Sequence, residues 1–408
     1  MLTSQPSPTR FFGLDIHKHY LVAVGVDTDG EQVYGPRKVI GENLETWRDK
    51  TLSISAAVVI EMTTNTWQVY DELRPYVHSV TVVHPPHVKA ITQAQVMTDR
   101  IAALLLARLH AKGLLVGVWI PPEDVRNRRA LVAHRNKMTR LATQAKNRLH
   151  GVLHRRHILP PGGDLFTPEQ RSWWLNLPLH PLERVRLLSD LDTLVFARQQ
   201  IETLEQVLTA QAAQDDRLPL LVQLPGVGWL TAITILAAIG DITRFPNAKH
   251  LVGYAGLGGR IHASGLTTRT GKITKAGRRD LRTAMVEAAQ TAANTHPHWI
   301  AELERLEPHL GRNKAIVAIG RKLLVAVWHV LTDGCADRYA EPERTARKLM
   351  QVTYQLGNSN RPNGLSTAAH VRLQLDRLGI AQHLTNIPWG SIKKPIPLPP
   401  SSQPANTA

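Results

Sequence analysis

The sequence predicts a mixed fold, an α/β unit at the N-terminal end joined to a longer all-α part, and three observations carry that prediction. Short apolar runs of strand length alternate with helix-period stretches through the first ~120 residues. A proline-free stretch rich in Arg and Lys then runs from Glu123 to Arg156 at helical spacing. From Pro219 to about Gly334 the apolar residues recur at helical spacing, with short turns between the runs.

Taken in order, residues 11–16 and 20–26 read as two apolar strands around the polar turn His17-Lys18-His19, a hairpin whose first strand is central. Further strands are expected at 56–60 and 80–83, and helices at 66–73 and 96–109. Pro121-Pro122 punctuates the end of this unit. The helix at 123–156 carries ten Lys or Arg residues and two acids; a solvated face is one reading, and the charge bias favours a helix that tracks phosphates. A Pro- and Gly-rich loop at 159–163 follows. Leu187, Leu194, Ile201 and Leu208 recur every seven residues, a spacing that fits a self-associating coiled coil and a helix packed within the chain equally well. Beyond Tyr339 the chain turns basic and loses its pattern, and Pro395, Pro397, Pro399, Pro400 and Pro404 mark a tail expected to be disordered.

Composition narrows the function classes. Forty-nine Lys and Arg against 33 Asp and Glu give a formal net charge of +16, which suits a polyanionic partner, and nucleic acid is the first candidate. A basic membrane-surface protein concentrates its charge on one amphipathic helix, whereas here the cations spread over most of the chain. The most apolar late stretch, 315–331, is broken by Arg321 and Lys322, so no membrane span is expected. Cys335 is the single cysteine, which excludes an internal disulfide and a cysteine-based zinc site and points to a reducing, cytoplasmic setting.

Three acids fall where a sheet and a helix could bring them together. Asp15 sits on the first strand, Glu61 follows the third, and Asp99 stands at the start of a helix. Each alone reads as a cap or a strand end. Together they read differently, because an ionised Asp within an apolar strand is costly unless a partner or a metal holds it. In a ribonuclease-H-like sheet, adjacent strand ends and a flanking helix converge such carboxylates so that two divalent ions can clamp a phosphodiester, and oxygen ligands select Mg²⁺ or Mn²⁺.

The segments that carry these acids, GLDIHK, VVIEMT and VMTDRIAALLLARL in that order, resemble the three acidic motifs of the IS-one-ten insertion-sequence family. Members are DEDD-type transposases whose N-terminal domain is like a Holliday-junction resolvase (RuvC-like). One position departs: the family's third motif carries a second Asp three residues after the first, and this chain has Ala102 there. Positions 99 and 102 share a helix face, so the missing carboxylate would weaken one metal site. A natural variant and an inactivating Asp-to-Ala change both account for it. Met97, where the family often has Lys, is a smaller departure.

Farther along, Leu224-Pro225-Gly226-Val227-Gly228 followed by Thr231-Ala232 reads as a helix-hairpin-helix turn, with Gly226 and Gly228 letting the backbone approach a phosphate; an ordinary helix-joining turn is the alternative. Ser264 and Gly265 then fall in an expected loop. Lys272, Lys275, Arg278, Arg279 and Arg282 follow within eleven residues, and His262 is the one base nearby in sequence. By residue chemistry alone Ser264 reads as a surface turn serine. The run from Gly240-Asp241 through Arg244-Phe245, Tyr254, Gly256-Leu257, Ser264-Gly265, Gly271, Ile273-Thr274-Lys275 and Leu281-Arg282 is similar to the C-terminal transposase domain of the same family, and that resemblance makes Ser264 the nucleophile.

The resemblance implies a RuvC-like, ribonuclease-H-fold domain with a basic helix at 10–156, a coiled-coil linker at 157–215, a helical transposase domain at 216–340 and a basic extension with a Pro-rich tail at 341–408. It implies a DNA transposase and recombinase in which Ser264 forms a phosphoserine link and Asp15, Glu61 and Asp99 hold Mg²⁺ or Mn²⁺. Partners implied are donor and target DNA, a structured bridge RNA, and further copies of the chain as a dimer or a synaptic tetramer, in a bacterial cytoplasm and associated with the nucleoid. The nucleic-acid contacts expected are Arg126, Arg128, Arg129, Arg135, Arg140, Arg148, Gly226, Gly228, Lys272, Lys275, Arg278, Arg279 and Arg282. A metal-dependent junction nuclease using only the N-terminal acids, and a non-catalytic DNA- and RNA-binding scaffold, are the alternatives.

Overall fold

The computed structural model describes residues 7–86, 98–264, 267–358, 360–361 and 364–399. The chain forms two compact units, Met1–Pro121 and Pro122–Ala408. Val96, Met97 and Gly265 lie outside the described residues.

The first unit is built on a five-stranded sheet of β1 (Arg10–Ile16), β2 (Tyr20–Val26), β3 (Gln32–Ile40), β4 (Ala56–Glu61) and β5 (Ser79–Val83), in the order β3-β2-β1-β4-β5. The first three strands are antiparallel neighbours, and β4 and β5 continue parallel to β1. Side-chain alternation gives the sheet two dressed faces. Phe12, Leu14, Val58 and Ile60 share a core with Trp47 of α1 (Leu44–Thr51) and Val69 and Leu73 of α2 (Thr66–Leu73). On the other face, Val22, Val24, Val59 and Val83 lie in clusters with Ala103 and Leu106 of α3 (Asp99–Ala111). β1 is thus covered on both sides, as expected for a central strand whose residues read as one apolar run.

Gly13 decides how closely α3 sits on the sheet. A Cβ there would lie 2.1 Å from the Ala103 carbonyl oxygen and 2.6 Å from the Ala107 nitrogen, so only glycine lets the helix backbone rest on β1. β3 went unread in the sequence for a physical reason: it is an edge strand, mostly exposed, and its Gly35 and Pro36 are residues that mark turns.

The second unit opens with α4 (Glu123–Arg156), 34 residues and roughly 50 Å long. It lies antiparallel against a second long helix, numbered after the short α5 (Arg171–Leu175): α6 (Pro181–Ala212). The direction is set out by ion pairs whose numbers run opposite ways: Arg135–Glu205, Arg148–Asp190 and Arg156–Glu183. Between them Ala142, Ala145, Leu149 and Val152 pack on Leu187, Leu191 and Leu194. The heptad leucines are therefore spent inside the chain, and the bundle reading of that repeat describes this structure. The basic helix lies in the compact unit that begins at Pro122. The cause is its apolar stripe, which is satisfied by α6 and not by the sheet.

The rest of this unit is a helical core. It contains α7 (Leu218–Val222), α8 (Trp229–Ile239), α9 (Ala248–Tyr254), α10 (Arg279–Thr295), α11 (Pro297–Leu310) and α12 (Arg312–Asp333), with a hairpin of β6 (Gly259–Ser264) and β7 (Thr267–Ile273) after α9. α12 is long and apolar enough to cross a membrane, yet Ile316, Ile319, Leu323, Leu324 and Val327 are buried in this core and Arg321 and Lys322 are exposed.

The region from 341 onward departs from expectation. α13 (Pro342–Leu356), α14 (Thr367–Arg377) and a hairpin of β8 (Asn386–Trp389) and β9 (Ile392–Pro395) belong to the same core, burying Ala346, Leu349, Met350, Val371, Leu375, Ile387 and Ile396. The basic composition hid a strong amphipathic pattern in 342–356, whose Arg and Lys occupy the outer face apart from Lys348. Residues 400–408, including Pro400 and Pro404, lie outside the described residues.

The turn between α7 and α8 is held from both sides. Gly226 has φ +76°, and a Cβ would stand 2.0 Å from the Ala288 carbonyl oxygen of α10. From α13, Lys348 Nζ donates to the carbonyl oxygens of Val222 (3.0 Å), Leu224 (2.8 Å) and Val227 (3.1 Å). Three acceptors match the three N–H groups of an ammonium. Burial opposes that charge and pushes the Lys348 pKa down to about 8.

Two outcomes follow. Gly13→Ala should lower stability by about 1–3 kcal/mol or more through overpacking against α3, read by chemical denaturation, with no loss if the helix can retreat freely. For Lys348 the folded pKa is below the unfolded one, so the unfolded chain holds the extra proton and stability from this residue rises with pH between about 8 and 10.5. The difference in Tm between the wild-type chain and Lys348→Met should therefore shift in favour of wild type as pH climbs through that window; a constant difference would contradict it.

Candidate active site

One strand end and a helix start converge three donor groups. Asp15 is the penultimate residue of β1, and His17 follows two positions later, so the period-2 geometry of an extended chain sends both to one face. That is the face of Gly13, where α3 rests. Thr98 caps α3 by accepting from the Ile101 N–H, and Asp99 is its first residue, an acid placed where the helix dipole favours one. Asp15, His17 and Asp99 each offer a ligand atom within 4.8 Å of the others.

The distances fit a shared cation. His17 Nε2 stands 3.4 Å from Asp15 Oδ2 and 3.1 Å from Asp99 Oδ2. This nitrogen is shielded from solvent and lies between the two carboxylates, within ion-pair distance of both. Tyr20 completes the group: its ring stacks on His17 at 4.6 Å and its hydroxyl donates to Asp99 Oδ2 at 3.0 Å. Burial raises the Asp15 pKa; His17 lowers it and Asp99 raises it. The hydrogen bond to Asp99 raises the Tyr20 pKa. Two partly buried carboxylates that face one imidazole nitrogen are a donor set that a divalent ion would satisfy.

Glu61 and Ala102 stand at the margin of this group. β1 and β4 pair in register up to Leu14 and Ile60, and Asp15 and Glu61 are the next residues on each strand. Glu61 is half-buried and is not a member of the three-residue group. Ala102 lies on the first turn of α3, its N–H bonded to the Thr98 carbonyl, and brings a methyl group where a carboxylate would face the site.

Ser264 lies in the second unit. It is exposed and closes β6, paired with Thr267, whose hydroxyl donates to its carbonyl oxygen at 3.0 Å. The expected loop is therefore a hairpin, whose short strands are rich in Thr, Gly and charged residues that also suit a loop. The side chain of His262 lies outside the described residues.

The expected nucleic-acid contacts divide by partner. Arg128 pairs with Asp215 (3.1 Å), Arg135 with Glu205 and Arg148 with Asp190, acids that belong to α6 or follow it. Arg129 donates to the Ala237 and Ala238 carbonyls at 2.7 Å, Arg282 to Ala255 at 2.9 Å, and Arg278 pairs with Asp280. Arg126 is half-buried. Arg140, Lys272, Lys275 and Arg279 are exposed. An open groove of about 580 Å³ runs between α4 and α10, lined by Arg135, Asn136, Arg140, Thr231, Arg278 and Arg279. Gly228, at the N-terminus of α8, is exposed with open space where a Cβ would be, whereas Gly226 is committed to packing.

His17 and Tyr20 were the site residues that sequence reasoning passed over. The Asp-Ile-His spacing was the available signal, since alternate residues of a strand share a face.

Known proteins match this arrangement in both units. A DEDD transposase model of IS110 type matches residues 12–158, and the model described as Transposase IS116/IS110/IS902 family matches residues 218–304. The transposase for insertion sequence element IS1111A of Coxiella burnetii is 25% identical over 333 residues, 79% of this chain and 90% of that protein. The pilin gene-inverting protein of Moraxella bovis is 28% identical over 62% of this chain and 73% of its own length. The putative transposase y4qE of Sinorhizobium fredii is 29% identical over 55% of each chain, so the match spans about half the length of that relative. With both domain models matched in order, on the units that carry the acids and the serine, the chain belongs to the IS110/IS116 family of transposases.

Proposed function

We propose that the chain is an insertion-sequence transposase that cuts and rejoins donor and target DNA through a covalent phosphoserine link. The convergence of Asp15 and Asp99 at the end of a β3-β2-β1-β4-β5 sheet carries this reading, because that order and its strand directions support a ribonuclease-H-like (RuvC-like) domain. Asp15 and Asp99, with Glu61 on the neighbouring strand, would hold the divalent ion. When bound, that ion supplies charge stabilisation at the phosphodiester.

The rest is the work of the chain's own groups. Ser264 presents an exposed hydroxyl on a hairpin followed by exposed Lys272, Lys275 and Arg279, cations that offset the negative charge of an approaching phosphate. The Oγ–phosphorus bond forms as the bond from phosphorus to the departing 3′ oxygen breaks, and the hydroxyl proton ends on that oxygen. One ester replaces another, so a 3′ hydroxyl from a second strand can reverse the step without an energy source. Donor and target duplexes would lie along the basic groove beside α4 and α10, with the exposed N-terminus of α8 at Gly228 as a phosphate contact.

Guidance by a structured bridge RNA rests on the family resemblance and on the net charge of +16. Assembly as a dimer or tetramer has a different support: with the heptad leucines turned inward, Val185, Val195, Phe196 and Val207 of α6 remain exposed for another copy.

The test uses the full chain with duplex DNA carrying the element's ends and the element's non-coding end transcript, followed by denaturing gels. A covalent protein–DNA adduct should form with wild type or with Ala102→Asp and vanish with Ser264→Ala; cleavage retained by Ser264→Ala would favour a metal-dependent nuclease instead. Asp99→Asn should cut cleavage on the order of a hundredfold while DNA binding persists. Ala102→Asp should raise strand cleavage, and no gain would count against a weakened metal site. Absence of any adduct even with Asp at 102 would leave the chain a non-catalytic binding scaffold.

A further inference from the structure

We infer that the His17 imidazole takes the place of the carboxylate missing at Ala102, turning an all-oxygen site into a mixed nitrogen and oxygen site that prefers Mn²⁺ to Mg²⁺. This rests on the reading of Asp15 and Asp99 as metal ligands.

The separations carry the first part of the case. Adjacent ligands of an octahedral ion held at about 2.1 Å are roughly 3.0 Å apart. His17 Nε2 stands 3.1 Å from Asp99 Oδ2 and 3.4 Å from Asp15 Oδ2, close to that edge length with no ion to draw them in. Both contacts fall on the same nitrogen, so one ion held between the carboxylates would meet it as well.

The turn that carries His17 is also fixed before any ligand arrives. The His17 N–H donates to the Tyr20 carbonyl at 2.8 Å, and the His17 carbonyl accepts from Asn65 Nδ2 at 3.0 Å. The ring is stacked on Tyr20, and the Tyr20 hydroxyl holds Asp99 Oδ2. One tyrosine thus orients two donors, the outer support that metal ligands require. Ala102, on the same helix face as Asp99, offers no donor, so the third group within reach is the imidazole.

Ligand chemistry gives the direction. Mg²⁺ demands oxygen donors and near-ideal octahedral geometry, whereas imidazole suits transition ions and Mn²⁺ accepts both donor types. Two carboxylates and one imidazole therefore discriminate against Mg²⁺.

The experiment titrates Mn²⁺ into the full chain and follows loss of the free aquo-ion EPR signal, with Mg²⁺ as competitor, in wild type, His17→Ala and His17→Asp. Pulsed EPR of the bound Mn²⁺ should show a directly coordinated imidazole nitrogen in wild type and lose it in both variants. His17→Ala should weaken Mn²⁺ binding at least about tenfold. His17→Asp should restore binding and let Mg²⁺ compete at least about tenfold better. The wild-type nitrogen coupling reads the ligand without relying on any variant's fold. Mn²⁺ bound to wild type with no nitrogen coupling and unchanged affinity in His17→Ala would overturn the inference and leave the metal reading standing. No Mn²⁺ bound by wild type or by Ala102→Asp would overturn both. Coupling that survives in a folded His17→Ala would assign the ion to another histidine and overturn the inference alone.

Discussion

The close contact of α3 with β1 at Gly13 is the constraint on which the first unit's chemistry depends. With any larger residue there, the helix would have to stand off the sheet, since a Cβ meets the Ala103 carbonyl at 2.1 Å. Asp99 leads that helix and Asp15 lies two residues beyond Gly13, so the glycine sets the distance between the two carboxylates without touching either. The geometry of the candidate site is here a by-product of backbone packing. A missing side chain sets the spacing of the acids, and His17 between them and the Tyr20 hydroxyl on Asp99 add polar contacts. Tyr20 and Asn65 then fix what the helix contact leaves adjustable, the His17 ring and its backbone.

The second unit treats charge differently from what its composition suggests. A net +16 reads as a surface awaiting phosphates, yet Arg128, Arg129, Arg135, Arg148, Arg278 and Arg282 hold acceptors within the chain. Partly exposed ion pairs of this kind are worth about 0–1 kcal/mol each, so they fix the register of α4 on α6 more than they add stability. Of the cations expected to meet phosphate, Arg140, Lys272, Lys275 and Arg279 are left facing solvent, at the groove between α4 and α10 and on the segment after Ser264. Arg244 shows the same economy: it stacks over Phe245 and Tyr254 while its Nε donates to Ile239, so that stretch of the family motif is structural.

Much of this was legible in the sequence where burial is one-sided or complete. β1, β2, β4 and β5, α2 and the 34 residues of α4 follow from apolar runs and helical spacing, with ends within a residue or two. Asp15 and Asp99 were legible as partners because an acid in an apolar strand demands one. What escaped was surface structure: β3 with its Gly and Pro, the polar β6–β7 hairpin under Ser264, and the helices after 341, whose basic residues masked their apolar faces. His17 escaped because a histidine in a turn reads as polar punctuation until the fold shows which way its ring points. Tertiary partners decide these cases, and spacing alone does not contain them.

Lys348 ties the turn between α7 and α8 from a helix more than a hundred residues downstream, and the core around it closes only with Ile387 and Ile396. During synthesis, the groups that seal this unit therefore emerge after the rest of its core. Until they do, a large apolar surface has no cover, and the growing chain cannot present a finished second unit.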